Sequence, residues 1–585
     1  MMLRIPMGLM AAFACLPLLI GCGGGGDGTP GTGGTPAGMG GAGTGGSTTG
    51  AGGTTGTGGT STGTAGTTGA GGTTGTGGSA TGSGGSTAGT GGSGTAGTGG
   101  SAAGTGGSTA GRGGATAGTG GAAGRGGTTG TGGRGGTGTA GSTGSGGAAG
   151  GDGYVSGVTV AVHPQTATIL NVTWTQAMAA EQVFLEFSFA GSGLMTSRAK
   201  PGATGSQRDV VLGVPSATAV TVRIVSRQGG IDYKTRDYMG TTGALPAALP
   251  RPTIVSYNAA LASPAKWMFG SVEDSVGGCT NRNCYFSGGL FWVYIMDRQG
   301  RIVWYFADGT SNAATGFQRI ARDGEYIWID KARTGTRGVV KMTLDRQYME
   351  TIALPISDAI DVTDDGAVLF DTNGTLRELA RGSTTPRTIW TCGTGFGNCY
   401  SNTINWNKAD NTVLMSFPEP NTVAQINRQT GELVASYGDR SGSYTFSPST
   451  WSMEWQHFPN ISATGTLMVS SHLPMFPEGS SAGPMQHAFI EFDIDRTGRR
   501  LVERWSYSAG TEWALSRGMV IKLPNGNYLG NYGTGGAIRE ITPDKQTVFH
   551  VKFDVPTGND YANKMVGHNE LIDDLYALNG GGPRP

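Results

Sequence analysis

Charge is scarce in this chain. Of its 585 residues 14% are charged, 40 basic against 40 acidic, and the formal net charge is zero. No basic stripe or charge run occurs, which argues against a nucleic-acid partner. Histidine is held to six positions. His472, His487, His550 and His568 do not pair with a carboxylate or cysteine at ligand spacing, so neither a metal nor another cofactor is expected. Long hydrophobic runs are missing too. The one apolar stretch, Met7 to Ile20 with Pro17 inside it, is too short and too broken for a comfortable membrane span. Between Gly23 and Gly151 there is no aromatic residue, and the only charges are Asp27, Arg112, Arg125 and Arg134. Such a stretch cannot bury enough apolar surface to offset chain entropy.

What the N-terminus does contain is informative. Arg4 precedes the apolar stretch, which ends in Leu19-Ile20-Gly21-Cys22. This is the lipobox pattern of bacterial lipoproteins, and it implies a signal peptide over residues 1–21 and acylation of Cys22. Two or three acyl chains anchor stably where one is marginal. Gly23 follows, with no Asp to suggest inner-membrane retention. The expectation is an outer-membrane lipoprotein of a Gram-negative bacterium, periplasmic or cell-surface, monomeric, with the membrane as a partner through its lipid. Residues 22–152 then read as a disordered Gly/Thr/Ser/Ala tether. It lacks the strict period and proline of collagen, and a coil of this length spans roughly 60 Å end to end. Beyond the tether lie Cys279 with Cys284 and Cys392 with Cys399. In an exported chain two local disulfides are the leading reading. A four-cysteine zinc site is the alternative, but inner spacings of four and six residues fit it poorly.

The remainder reads as all-β. In residues 153–248, Val158–Val162, Ile169–Trp174, Val183–Phe189, Asp209–Val214 and Ala219–Val225 alternate apolar and polar residues, the period of half-buried strands. Five short strands with no helix between them predict a small β-sandwich, similar to a fibronectin type III module. His163 is expected at its surface. Residues 252–585 carry an internal repeat. Turns at Gly324, Gly366, Asn411, Gly465 and Gly526 each lead into an apolar run, at spacings of 42, 45, 54 and 61 residues. Second turns such as Gln429-Thr-Gly-Glu and Arg496-Thr-Gly-Arg follow. With a less regular unit at Trp267–Phe306, this predicts a six-bladed β-propeller.

The first strand of each blade lines the channel. Counting back eight residues from each first-turn Gly, and nine from Asn411, gives Gly316, Asp358, Asn402, His457 and Gly518 as channel-mouth positions, with Tyr400, Gln456 and Arg517 beside them. A polar rim in a concave place is the usual setting for a ligand site.

Several segments resemble the bacterial arylsulfotransferases: Val423 to Gly438, Gln456-His457, Leu523-Pro-Asn-Gly-Asn527 and Arg539-Glu-Ile-Thr-Pro543, in that order between about Ile302 and Phe553. The resemblance implies a six-bladed propeller behind an N-terminal sandwich. It also implies sulfuryl transfer from an aryl sulfate to a phenol without a nucleotide cofactor. His457 would be the nucleophile, Gln456 and Asn402 would orient it, and Tyr400 or Arg517 would assist. The sequence departs from the family where Asp358 and Tyr400 replace two histidines and Phe417 follows Ser416 in place of an arginine. The competing expectation is a catalytically degenerate propeller that binds a glycan, peptide or partner protein at the same mouth.

Overall fold

A computed structural model describes residues 152–274, 290–307, 320–331, 337–357, 359–447, 452–473, 485–510, 513–514, 517–553 and 564–580. The expected signal peptide, Cys22 and the Gly-rich stretch, Cys279 and Cys284, Gly316 and Asp358 lie outside them. The regular structure of the described chain is nearly all β-strand. Its first part is a sandwich. Val155–Val162, Leu170–Gln176 and Gly205–Val211 form one sheet, and Ala180–Phe189 and Ala219–Gln228 centre the other. The predicted alternation places Leu170, Val172 and Trp174 against Val183, Leu185, Phe187, Val220, Val222 and Ile224 in a shared core.

Six further sheets follow, each with four antiparallel strands at its heart. Blade 2 is built from Ile320–Arg322, Ile327–Lys331, Gly338–Met342 and Met349–Ala353. Blade 3 comprises Ile360–Val362, Val368–Thr372, Thr375–Leu379 and Arg387–Thr391. Blade 4 comprises Thr403–Asn407, Thr412–Phe417, Thr422–Asn427 and Leu433–Gly438. Blade 5 comprises His457–Ile461, Leu467–Leu473, Met485–Asp495 and Arg500–Tyr507. Blade 6 comprises Met519–Lys522, Tyr528–Asn531, Ala537–Ile541 and Thr547–Lys552. In blades 2 to 6 the first strand is innermost and lies beside the first strand of the next of these blades. The ring is therefore a six-bladed propeller.

Blade 1 corrects the reading of its sequence. Trp267–Asp274, Leu290–Asp297 and Ile302–Phe306 supply its outer three strands, but the innermost is Val566–Ile572 from the far end of the chain. The N-terminal side closes the ring a second time: Thr253–Tyr257 pairs with Thr547–Lys552 as a fifth, outermost strand of blade 6. The unit looked irregular in sequence because its inner strand is not local.

Between inner strands, side chains bond to the neighbouring backbone. Asp361 accepts from the Trp406 amide at 2.7 Å, Asn405 donates to the Pro459 carbonyl at 2.7 Å, and Asn460 donates to the Val520 carbonyl at 2.7 Å. Blades 1 and 2 are joined by an ion pair, Arg322 to Glu570 at 2.7 Å. These bonds satisfy polar groups that line a channel where strand pairing cannot reach them.

The sandwich is seated on the propeller. Ile169, Val210 and Leu212 share an apolar cluster with Trp267, Phe306 and Leu575. The Tyr576 hydroxyl accepts from the Leu212 amide at 3.1 Å and donates to the Val210 carbonyl at 3.0 Å. His163 was expected at the surface but is buried in this seam. Its Nδ1 accepts from the Gln165 and Thr166 amides, both at 3.2 Å, so Nε2–H donates to the Asp345 carbonyl at 3.0 Å. The sequence of the sandwich alone could not reveal that its end would be covered.

Candidate functional site

The mouth is assembled from the starts of the inner strands, as the turn register implies. Gln456 is fully buried. Its Nε2 reaches the Phe417 carbonyl at 2.9 Å, the Ser416 hydroxyl at 3.2 Å and the Thr422 carbonyl at 3.2 Å, all in blade 4. Its own carbonyl accepts from Ser416 Oγ at 2.9 Å and Asn402 Nδ2 at 3.0 Å. Gln456 and Asn402 therefore fix the backbone from which His457 projects and make no bond to its ring. On either side of His457, Trp455 and Phe458 have φ of 46° and 53°, in the left-handed region. That turn sets the imidazole against the His472 ring.

His457 Nδ1 lies 2.9 Å from the Trp455 carbonyl. A carbonyl only accepts, so Nδ1 carries the proton and Nε2 keeps its lone pair. Burial, then the neighbouring His472 and Arg517, hold the ring's pKa well below 6.5, against the raising effect of the Trp455 carbonyl. The imidazole is neutral at physiological pH.

Two histidines absent from the sequence-predicted set complete the arrangement. His472 meets His457 edge-on at 5.0 Å and stacks on His487 at 4.7 Å, the latter two being cross-strand partners in blade 5. His472 Nε2 lies 2.6 Å from the Arg517 carbonyl and its Nδ1 3.3 Å from the Ala514 carbonyl. His487 Nε2 lies 2.5 Å from the Ser470 hydroxyl. Burial lowers the pKa of both rings. His472 sits at the far end of a strand whose start carries the repeat signal. Its pairing with His487 spans a long connection, so spacing alone does not bring the two together.

Arg517 has φ 68° and is followed by Gly518 at φ 117°. A Cβ on Gly518 would stand 2.2 Å from His487 Cε1, so glycine is what lets this segment pass the histidine stack. The Arg517 charge is felt at His457, and Glu273, Tyr400 and Asp330 in turn act on Arg517. His457, Arg517 and Tyr400 are thus brought into one electrostatic neighbourhood. Glu273 and Asp330, on strands not used in the register argument, join it and offset part of the cation's charge. Tyr400 is 42% exposed and directly follows Cys399, which is joined to Cys392 by a disulfide. Among the described residues no three His, Cys, Asp or Glu side chains cluster as a metal site.

A cavity of 730 Å³ is lined by Arg322, Glu570 and His568, with Phe458 also on its wall. His568 lies 2.7 Å from Glu570. Arg322 and His568 hold the Glu570 carboxyl far below its usual range, against the raising effect of burial.

No family model matches the sequence. No curated protein matches it either. Among solved structures the chain is similar to virginiamycin B lyase from Staphylococcus aureus, with 14% identity, 42% of this chain and 72% of that chain covered, and a TM-score of 0.27. It is similar to a streptogramin B lyase, with 14% identity, coverage of 53% and 89%, and a TM-score of 0.32. TolB from Acinetobacter baumannii is similar at 12% identity, coverage of 61% and 80%, and a TM-score of 0.35.

Proposed function

We propose that this propeller is a sulfuryl-transfer enzyme working through His457, held at the outer membrane by a lipid on Cys22. The observation that carries the catalytic reading is the Nδ1–H bond to the Trp455 carbonyl, which leaves a neutral Nε2 lone pair in the channel mouth. In the first half-reaction Nε2 attacks the sulfur of an aryl sulfate. The bond from sulfur to the aryl oxygen breaks, and a phenolate departs. The Trp455 carbonyl favours the positive ring that forms, and Arg517 offsets charge on the sulfuryl oxygens. In the second half an acceptor phenol attacks the same sulfur and the N–S bond breaks. Its proton balances the phenolate released before, through solvent. No metal or nucleotide enters the balance.

Glu273 and Asp330 favour a second reading. Two carboxylates acting on Arg517 repel an anionic ester, which suits a propeller that binds a glycan, peptide or partner protein without chemistry. Release of nitrophenol from 4-nitrophenyl sulfate decides between them. The enzyme reading expects acceptor-dependent release that is lost in His457→Ala and reduced about a hundredfold or more in Arg517→Ala. It also expects a gain in Asp358→His, which exchanges a carboxylate for a cation where the resembled family has histidine. Absence of turnover in both the wild type and Asp358→His would leave the binding reading standing.

A further inference from the structure

A second cavity, of 680 Å³, lies between blades 2 and 3 on strands away from the channel. Lys341, Trp328, Arg377, Tyr348, Glu350 and Arg381 are among the residues that line it. Lys341 is only 7% exposed. Its ammonium stands 4.3 Å from the Tyr326 ring centre, 4.9 Å from that of Trp328 and 5.6 Å from that of Tyr348. Three ring faces fix the charge without using any of its N–H groups. Trp328 is 2% exposed, and its Nε1–H has no partner among the described residues; nor does the buried Nε–H of Arg377.

The acceptors nearby are mostly taken. Glu350 receives the Tyr348 hydroxyl, Glu325 receives Arg381 at 3.4 Å, and Asp323 Oδ1 accepts the Glu325 and Tyr326 amides at 3.0 and 2.8 Å. Asp323 Oδ2 is buried without a partner among the described residues, and Glu350 keeps its second oxygen; Asp323, Arg381, Glu350 and Glu325 all act on the Lys341 charge. Counting the three hydrogens of the Lys341 ammonium, the unused N–H groups around this cavity outnumber those two oxygens. A buried donor left unpaired is costly, and here an indole and a guanidinium share the condition. Water answers it poorly, since each molecule that accepts two bonds brings two hydrogens that need acceptors of their own. A group that only accepts matches the wall better.

We propose that the cleft between blades 2 and 3 is an oxyanion-binding site, in which Lys341, Trp328 and Arg377 donate to a sulfate, phosphate or carboxylate group, free or carried on a larger molecule. The site is separate from the His457 mouth and does not depend on the reading of that mouth.

Calorimetric titration of the full chain with sodium sulfate, phosphate and acetate, with ionic strength held constant by sodium chloride, tests this. Saturable one-site binding of at least one of the three is expected, and their order identifies the preferred group. Lys341→Met should weaken it at least about tenfold, and Trp328→Phe, which keeps the ring and removes the N–H, about fivefold. His457→Ala and Arg517→Ala should bind as the wild type does. Absence of saturable binding by all three ions would overturn the proposal, as would wild-type affinity in Trp328→Phe or loss of binding in Arg517→Ala. Should Lys341→Met fail to fold, Trp328→Phe carries the test alone.

Discussion

Replacing Gln456 by Ala separates a residue that builds the mouth from one that does chemistry in it. Its Nε2 faces three acceptors in blade 4 but holds two hydrogens, so two bonds exist at any moment. At about 1 kcal/mol each, with buried acceptors left behind, their loss costs about 2–3 kcal/mol. The vacated volume adds on the order of 1 kcal/mol. Against this, the side-chain oxygen of Gln456 has no partner among the described residues, and removing it returns about 1–2 kcal/mol. The net is a loss of about 2 kcal/mol, roughly a thirtyfold shift in a local opening equilibrium. Hydrogen exchange over His457–Ile461 reads it directly, and Gln456→Met, which keeps the volume, should match within about 1 kcal/mol. Unchanged protection of that strand in Gln456→Ala would refute the reasoning, because the side chain would then not be what pins blade 5 to blade 4.

Burial depresses the folded pKa of His457, His472 and His487, so between those values and 6.5 the unfolded chain binds more protons. Stability is then full above about pH 7 and falls as pH drops below 6.5, by up to about 1.4 kcal/mol per pH unit for each ring. His487→Gln should make the dependence between pH 7.5 and 5.5 shallower by about that slope in urea unfolding; equal slopes would contradict the burial argument. Tyr576→Phe removes the hydroxyl that joins sandwich to propeller and should cost about 2 kcal/mol, seen as the sandwich unfolding ahead of the ring in calorimetry; one coincident transition at the wild-type temperature would count against it. Cys22→Ala should abolish acylation and leave uncleaved precursor in mass spectrometry; normal processing at another site would show that the lipobox reading is wrong.

The sequence exposes what is local and periodic. The first turns at Gly324, Gly366, Asn411, Gly465 and Gly526 mark the end of each inner strand, and counting back from them reaches Asn402 and His457 because every blade repeats the same hairpin. Alternation in Leu170–Gln176 marks a sandwich face for the same reason. What depends on distant pairing does not show. Val566–Ile572 is an ordinary strand in sequence, and nothing local announces that it completes a blade begun about 300 residues earlier. His472 and His487 become neighbours only through register across a long connection. Glu273 and Asp330 reach Arg517 from other blades. His163 is buried by a seam with another domain. Residue type suggested a role for Gln456 and Asn402 at the ring of His457. Their partners lie in the backbone instead, a choice made by which carbonyls the folded strand starts leave unpaired.

The twofold closure of the ring governs how the protein can be made. The outer strands of blade 1 are the first of the ring to be made, yet its channel-side strand is made only after blade 6. Until Val566–Ile572 arrives, Trp267–Asp274 presents an unpaired apolar edge, and loop closure over such a span is slow. The propeller therefore cannot mature in order of synthesis, and a chain cut short after blade 6 lacks its first blade's inner wall and not merely a tail. A chain in that condition stays open until Val566–Ile572 is delivered.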